Sequence, residues 1–266
     1  MRDFAAAARL FEDRVDRSDY FDAASSEVAK TTLLRLIDEP ERKLLFLLGE
    51  PGVGKTKMLH TLAGHLRQGP EPRLVVHLSE PFFEPDAFLR RLAREAGMEE
   101  EEEADRLKAR VTERYRAHEH LIMIDEAQLL EEPTLEFLRI LADTKAYRIL
   151  LSMHRREGEE ILAKPHFRGR SHRVVEMGAL EREEVGEYLR TLLRREGFEE
   201  IAAMIDAAAA GRIHRYASGN FRQVKRMAQT LFELMEHARR NGLRKFSRPN
   251  GCLLEMAAID LELVDG

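Results

Sequence analysis

The sequence predicts an α/β fold, with a largely parallel sheet sandwiched by helices and followed by a C-terminal all-α region. Five short apolar runs alternate with segments of helical periodicity up to about residue 180, and this alternation favours a parallel sheet. The first apolar run leads directly into a glycine-rich loop that opens a helical segment. Beyond residue 180 the strand-type runs stop, while the helical periodicity continues. A chain of 266 residues with 44% hydrophobic content is sufficient for one large domain or for a core with a smaller second domain.

The predicted elements divide the chain into three parts, beginning with helices in residues 1–39 that Pro40 separates from the first strand. The five strand candidates are Lys43–Gly49, Arg73–Leu78, His120–Asp125, Arg148–Met153 and Arg173–Met177. The helical segments between them are 55–67, 85–96, 104–117, 132–143 and 157–164. The helical segments after them are 181–196, 199–209, 211–240 and 252–263. We therefore predict an N-terminal helical segment at 1–39, an α/β core at 40–180 and a helical lid at 181–266.

Composition narrows the classes of protein to consider. The single cysteine, Cys252, excludes an internal disulfide. The N-terminus lacks the apolar stretch of a signal peptide, and no apolar run approaches the length of a membrane span. We therefore expect a cytoplasmic protein with no direct membrane insertion. The net charge of −5 argues against a chain that binds nucleic acid over its whole surface.

The segment Gly49–Thr56 matches the pattern G-x-x-x-x-G-K-[ST] in full. Glycines let backbone N–H groups fold around an anion, and the N-terminus of the following helix adds partial positive charge. Lys55 can reach the β- and γ-phosphates of a nucleotide, and the Thr56 hydroxyl can ligate Mg²⁺. A chance glycine-rich turn is the alternative, which the complete pattern disfavours. The residues expected to bind the nucleotide here are Gly49, Glu50, Pro51, Gly52, Val53, Gly54, Lys55, Thr56 and Lys57.

Two carboxylates follow a buried-type strand, at the end where parallel sheets bind ligands. Asp125 can hold Mg²⁺, and Glu126 can polarise an attacking water. Two solubilising acids at a strand end are the alternative. Glu126 directly after Asp125 fits water activation better than phosphoryl transfer by a small-molecule kinase. The pair therefore predicts nucleotide hydrolysis.

The next strand candidate ends in polar side chains, Ser152 and His154. If this strand lies between the loop strand and the Asp125 strand, one of the two side chains would lie near the γ-phosphate. There it could sense the phosphate or orient the water. A polar strand end without a function is the alternative.

With these residues, the chain resembles the AAA+ ATPase superfamily over roughly residues 40–265. Three features beyond the loop and the carboxylates carry the resemblance: the polar end of the fourth strand, an arginine cluster before the fifth strand, and a segment that opens a lid helix. The cluster is Arg168, Arg170 and Arg173, and the segment is Ser218-Gly219-Asn220-Phe221-Arg222, similar to the sensor-2 motif.

The resemblance implies ATP and Mg²⁺ bound between core and lid, with Arg222 contacting the γ-phosphate and His154 or Ser152 as sensor 1. It also implies a homo-oligomeric ring or filament with shared sites. In such an assembly Arg168 or Arg170 would reach the neighbouring subunit's nucleotide and offset developing charge. A basic surface loop is the alternative for these two arginines.

Within the superfamily, Ile124-Asp125-Glu126-Ala127-Gln128 is similar to the general secretion pathway protein A ATPases and to the ATP-binding partners of transposases. That group usually has glutamine where His154 aligns, which is a departure. The first functional hypothesis is an ATPase that drives conformational change in a partner assembly of the secretion or pilus type. The alternative is a nucleotide-dependent switch that regulates a DNA transaction such as transposition.

Charge is concentrated in the predicted lid, where residues 211–250 hold ten Lys or Arg and two Glu. Such a segment could bind DNA phosphates. It could also bind ATP, an acidic neighbouring subunit or the glutamate run at Glu99–Glu103, which is more simply a solvated loop. Direct DNA binding through residues 211–250 therefore stays one of several expectations.

Overall fold

The computed structural model describes residues 3–12, 21–39, 44–69, 72–79, 84–98, 103–117, 120–165, 167–168 and 172–264. The chain forms two compact units. The first, called here the sheet unit, comprises Ser26–Pro51 and Lys55–Met177. The second, the helical unit, comprises Met1–Ser25, Gly52–Gly54 and Gly178–Gly266. The three-part division at residues 40 and 180 stays a prediction.

The sheet unit is built on five parallel strands, which confirms the predicted α/β class. The strands are β1 (Leu44–Gly49), β2 (Val75–Leu78), β3 (Leu121–Ile124), β4 (Arg148–His154) and β5 (His172–Met177). Their order is β2-β3-β4-β1-β5, with every neighbouring pair parallel. All residues of β1 and β3 are buried, because helices cover a parallel sheet on both faces and the strands read as continuous apolar runs.

Strand order determines which side chains meet at the carboxyl edge of the sheet. Chain order runs β1, β2, β3, β4, yet β4 lies between β1 and β3. Gly49 at the end of β1 pairs in register with His154, and Leu47 pairs with Ser152. The end of β4 is therefore placed between the start of the glycine-rich loop and the Asp125–Glu126 pair.

Apart from α2, for which only helical character within residues 1–39 was predicted, the helices of the sheet unit begin and end within two residues of the predicted segments. They are α2 (Ala24–Asp38), which starts at the boundary of the unit, α3 (Lys55–Gln68), α4 (Pro85–Glu95), α5 (Ala104–Ala117), α6 (Glu132–Asp143) and α7 (Arg155–Ala163). α7 follows β4 without a loop. It packs closely against β1, as a Cβ added at Gly158 would be only 2.4 Å from the Leu48 Cδ2 atom. Any larger residue at position 158 must therefore displace that buried leucine.

The C-terminal end of α2 is tied to the sheet by a buried arginine. Arg148, at the start of β4, donates from Nη1 to the carbonyl oxygens of Ile37 and Glu39. A cation at this place suits the partial negative charge of a helix C-terminus and satisfies carbonyls that have no partner within the helix.

The helical unit contains α1 (Phe4–Arg9), α8 (Arg182–Arg195), α9 (Glu199–Ala202), α10 (Ala207–Ala217), α11 (Phe221–Arg240) and α12 (Gly251–Asp260). α1 packs along α11, with the Phe4 and Phe232 rings stacked at 6.5 Å between centroids. The N-terminal helix is therefore part of this unit's core rather than an appendage.

Two helical segments predicted in this region are wrong in detail. The segment 211–240 is broken at Ser218 and Gly219, which have φ values of 49° and 66°, and Asn220 then caps α11 by accepting from the Gln223 N–H at 3.3 Å. The segment 199–209 ends at Ala202, and α10 starts at Ala207. Left-handed backbone and the Asn220 cap make the first break, and at the second Asp206 caps α10 by accepting from the Ala209 N–H at 2.7 Å.

Candidate functional site

The glycine-rich loop joins β1 to α3, and its backbone conformation requires glycine at two positions. Gly52 and Gly54 have φ values of 82° and 106°, a region that side chains with a Cβ rarely adopt. Lys55 is buried, and its Nζ donates to the carbonyl oxygens of Gly49 (2.9 Å) and Glu50 (3.1 Å). The ammonium is thereby held at the entrance of the loop.

Other predicted contacts of the loop vary in exposure. Glu50, Pro51 and Thr56 are exposed, Val53 is buried, and Lys57 is half-buried in the first turn of α3. Exposed residues on both sides of a buried lysine are compatible with a ligand that lies over the loop.

Thr56 and Asp125 meet across the carboxyl edge of the sheet. The Thr56 Oγ1 donates to Asp125 Oδ2 at 2.6 Å, and Asp125 Oδ1 accepts the Glu126 backbone N–H at 3.0 Å. Asp125 is 2% exposed. A hydroxyl and a carboxylate side by side are the hard oxygen ligands that Mg²⁺ prefers. The two residues therefore fit the predicted metal role, the remaining ligands being water and phosphate oxygens.

Glu126 lies directly after β3 in a left-handed conformation, with φ 49° and ψ 35°. Its Oε2 accepts a hydrogen bond from Gln128 Nε2 at 2.5 Å and lies 3.6 Å from His154 Nε2. The His154 backbone N–H in turn donates to Gln128 Oε1 at 3.4 Å. The end of β4 therefore reaches the Glu126 carboxylate both directly and through Gln128.

The two polar residues of β4 differ in their surroundings. His154 is half-buried and lies beside Glu126 and Glu157, the latter at 4.0 Å from Nδ1. Ser152 is fully buried, and among the described residues its Oγ has no hydrogen-bond partner. Of the two, His154 is the one that the structure brings to the carboxylate pair.

A histidine pair that the sequence did not single out lies behind this edge. The rings of His60 on α3 and His77 on β2 meet edge-on at 4.8 Å between centroids. Burial lowers the pKa of His77, with His60 acting in the same direction and the Asp125 carboxylate in the opposite one. His77 is therefore a neutral imidazole at neutral pH. No motif covers these residues, so only their meeting in the fold reveals them.

The predicted arginines are distributed over both units. Arg168 is exposed in a turn of the sheet unit, where its backbone N–H donates to the Lys164 carbonyl at 3.0 Å, and Arg173 is exposed on β5. Arg170 lies outside the described residues. Arg222 is exposed in the first turn of α11, and its backbone N–H donates to the Gly52 carbonyl at 3.0 Å within the helical unit.

Comparisons with known proteins agree with this architecture. Residues 38–162 match the sequence model of a family described as an AAA domain. A Walker-type ATPase of Pyrococcus abyssi superposes with a TM-score of 0.61 at 16% identity, over 95% of this chain and 76% of that chain. No curated protein matches the chain in sequence.

Two further solved structures are similar. The ORC2 protein of Aeropyrum pernix, solved in ADPNP–ADP complexes, has a TM-score of 0.59 at 14% identity, over 94% of this chain and 71% of that chain. The Drosophila ORC bound to DNA has a TM-score of 0.60 at 13% identity, over 96% of this chain and 65% of that chain. At such identities the likeness establishes the fold, which is that of an AAA+ P-loop NTPase with C-terminal helices.

The described residues contain no group of three or more His, Cys, Asp or Glu side chains placed to hold a metal ion. In the part of the chain that the structure describes, no helix has the length and apolar character needed to cross a membrane.

Proposed function

We propose that the chain binds ATP with Mg²⁺ at the carboxyl edge of the sheet unit and hydrolyses it to ADP and phosphate. The observation that carries the proposal is the pair of hydrogen bonds that joins Thr56 to Asp125 and Asp125 to Glu126. These residues accompany a buried lysine in a complete phosphate-loop pattern. Each member of this series supplies a different requirement of phosphoryl transfer to water.

The loop and Lys55 bind and orient the phosphates. Backbone N–H groups of a glycine-rich loop and the N-terminus of α3 provide partial positive charge toward an anion. The Lys55 ammonium, now bonded to two loop carbonyls, can exchange these for phosphate oxygens without leaving the loop. Its charge then offsets the charge that develops on the transferred phosphoryl group.

Asp125 and Thr56 would hold Mg²⁺, which when bound offsets phosphate charge. Glu126 would accept a hydrogen bond from the attacking water and orient it in line with the bond that breaks, between the γ-phosphorus and the bridging oxygen. The proton of that water passes to the Glu126 carboxylate or to solvent, and ADP leaves with the bridging oxygen.

Two variants test these roles separately. We expect Lys55→Ala to weaken ATP binding at least tenfold in calorimetry, because a buried charge-assisted contact is worth about 1.5–3 kcal/mol. Glu126→Gln should bind ATP as the wild type does and hydrolyse it at least a hundredfold more slowly, since general-base assistance contributes about 10²–10⁴-fold.

The matched controls are Lys30→Ala and Glu160→Gln, which alter a half-buried ion pair on α2 and an exposed ion pair on α7. Neither should change affinity or turnover. Unchanged ATP affinity in Lys55→Ala, or wild-type turnover in Glu126→Gln, would reject the assigned residues. A wild-type chain with no turnover over a buffer blank would reject hydrolysis itself.

The cellular role that we favour is an ATPase that drives conformational change in a partner assembly of the secretion or pilus type. The support is the segment Ile124–Gln128, whose sequence is similar to that ATPase group. Turnover that rises when the partner assembly is added supports this role.

A second function, a nucleotide-dependent switch in a DNA transaction such as transposition, is favoured by one surface of the helical unit. The end of α11 and the turn that follows it, called here the basic turn, span residues 239–248 and hold five basic and no acidic residues. Its members are Arg239, Arg240, Arg244, Lys245 and Arg248. All are exposed.

The basic turn is distinct from the part of the lid that bears Arg222. Arg222 is in the first turn of α11 and the basic turn begins in its last turn, so nearly the whole helix of 20 residues, roughly 30 Å long, lies between them. Arg239 and Arg240 bind Glu236. In the described part of the chain, no ion pair involves Arg244, Lys245 or Arg248. These three charges are therefore available for phosphates along a nucleic acid backbone.

The alternative is tested by duplex binding and by turnover with and without DNA. A triple variant, Arg244→Ala/Lys245→Ala/Arg248→Ala, should lower duplex affinity. It should also make the dependence of log affinity on log salt concentration shallower, by the equivalent of about three phosphate contacts. Arg194→Ala/Arg195→Ala removes surface charges that have acidic partners and serves as the control. No duplex binding by the wild type even at low salt would remove this function.

A further inference from the structure

Gln128 occupies the position between Glu126 and the end of β4. It belongs to the 3₁₀ turn Ala127–Leu129 that follows Glu126. Its Nε2 donates to Glu126 Oε2 at 2.5 Å, and its Oε1 accepts from the His154 backbone N–H at 3.4 Å. The side chain is half-buried. One amide group therefore joins the ends of β3 and β4.

The two partners determine the orientation of this amide. A carboxylate oxygen can only accept a hydrogen bond, so the NH₂ end must face Glu126. A backbone N–H can only donate, so the carbonyl end must face His154. Both requirements give the same orientation. In the opposite orientation the amide oxygen would face a carboxylate oxygen, and the amide NH₂ group would face a backbone N–H.

We infer that Gln128 is a positioning residue for Glu126: its amide holds Glu126 Oε2 and leaves Glu126 Oε1 directed to the attacking water. The inference rests on the proposed hydrolysis. Glu126 has a left-handed backbone, which a non-glycine residue adopts only at an energetic cost, so contacts from neighbouring residues help to hold it in place. Gln128 is such a neighbour, and it acts through Glu126 without touching the nucleotide.

The contact also links Glu126 to the strand beside the phosphate loop. His154, whose N–H bonds Gln128, pairs in register with Gly49 at the start of that loop. A displacement of the end of β4 would therefore move the amide and, through it, the Glu126 carboxylate. Glu126 would be aligned for catalysis only when the ends of β1 and β4 are in register.

A purely structural role for Gln128, as a tie between two strand ends, makes a different prediction. If Gln128 only connected the two strand ends, its replacement would lower the unfolding temperature and would affect ATP binding and turnover together. Loss of a positioning contact lowers kcat alone, because the phosphate loop and the metal ligands Thr56 and Asp125 remain in place.

The experiment compares Gln128→Glu and Gln128→Met with the wild type in kcat, KM, ATP affinity by calorimetry and unfolding temperature. Gln128→Glu keeps the size of the side chain but sets a second carboxylate against Glu126. Gln128→Met removes both hydrogen bonds. We expect kcat to fall about tenfold or more, since a hydrogen bond to a charged group is worth at least one factor of ten. KM and ATP affinity should stay within twofold.

The matched control is Gln229→Glu on α11, where a glutamine amide also donates to a carboxylate, Glu233, at 3.0 Å. It should leave kcat unchanged. If Gln128→Glu does not fold, Gln128→Asn, which keeps the amide but shortens its reach by one methylene, gives the same readout.

A double-mutant cycle with Glu126→Gln separates the outcomes. If Gln128 acts through Glu126, then Gln128→Met should cause no further loss of kcat in the Glu126→Gln background. An equal fold-loss in both backgrounds, or a kcat within twofold of wild type in the single variants, overturns the inference. Hydrolysis itself is judged by the wild type and by Glu126→Gln alone, so a failure of the proposed function is recognised before Gln128 is considered.

Discussion

Gly219 lies where the backbone between α10 and α11 closely approaches the backbone of Leu180. Its carbonyl accepts the Leu180 N–H at 2.9 Å, and a Cβ added there would be 2.2 Å from the Leu180 carbonyl oxygen. Its φ is 66°. The residue therefore combines a left-handed backbone with a contact that no other amino acid can make, and it ends α10 just before Asn220 caps α11.

We predict that Gly219→Ala destabilises the protein by about 3 kcal/mol or more, because left-handed strain of about 1–2 kcal/mol adds to a steric overlap that backbone must relieve. Urea denaturation measures the change. Gly242→Ala is the control, since Gly242 has nearly the same φ, 68°, but no heavy atom within 4 Å of its added Cβ. Equal losses in the two variants would contradict the steric part of the prediction.

Individual site residues differ in how readily the sequence reveals them. The phosphate loop and Asp125–Glu126 are contiguous patterns, and their chemistry can be inferred from residue types and spacing. Gln128 ends the segment Ile124–Gln128 that carries the narrower resemblance, but nothing in that segment predicts its contacts, and the His60–His77 pair belongs to no motif. Gln128 bonds the His154 N–H, 26 residues later in the chain, and His60 contacts His77, 17 residues later. Only the assembled sheet shows that these residues meet.

At the scale of elements, α11 is stabilised at both ends by side chains. Asn220 caps its N-terminus. In its last turns, buried Glu236 accepts hydrogen bonds from Arg239 at 2.8 Å and from Arg240 at 2.7 Å. The hydrogen bond from Arg239, opposed by burial and reinforced by Arg240, lowers the pKa of Glu236 from 4.5 to about 2.

We predict a pH-dependent contribution of Glu236 to stability. Because its pKa is lower in the folded state, the contribution is complete above pH 4.5 and is lost as the pH falls toward 2. The difference in unfolding free energy between the wild type and Glu236→Gln, measured by urea denaturation, should therefore be largest at pH 7 and shrink between pH 4.5 and 2.

The control for this prediction is Glu233→Gln on the same helix, because Glu233 accepts from the neutral amide of Gln229. Its effect on stability should vary much less over the same range. A Glu236→Gln difference that is the same at pH 7 and pH 2 would show that the two arginines do not stabilise the ionised carboxylate.

Elements of the sheet unit were predictable because each strand is a compact apolar run and each helix has its own apolar stripe. The helical unit was less so. Apolar periodicity continues through residues 211–240, and the break at Ser218–Asn220 depends on the contact of Gly219 with Leu180, nearly 40 residues earlier in the chain.

At the scale of the whole molecule, the remaining question is whether one chain completes its own site. Arg168 is exposed, and Arg170 lies outside the described residues. An exposed arginine suits a role in a neighbouring subunit, since its planar cation binds phosphate oxygens in pairs.

We predict that turnover per chain rises with protein concentration and that Arg168→Ala/Arg170→Ala abolishes this rise, with a loss of tenfold or more at the highest concentration. Steady-state kinetics with sedimentation velocity at matched concentrations measures both. Arg156→Ala, which removes an exposed arginine paired with Glu160 on α7, is the control. A sedimenting monomer that hydrolyses ATP at full rate, with the double variant unaffected, would contradict shared sites.

The sequence by itself determined the class of the fold and predicted the phosphate loop and the two carboxylates, because all three depend on residues that are neighbours in the chain. Only the tertiary structure decided that β4 enters between β1 and β3, and thereby that His154 and Gln128 meet Glu126. It also decided that α1 packs against α11 and that α10 and α11 are separate helices. Strand order, packing partners and helix ends of this kind depend on contacts between distant residues, which no local pattern of residue types encodes.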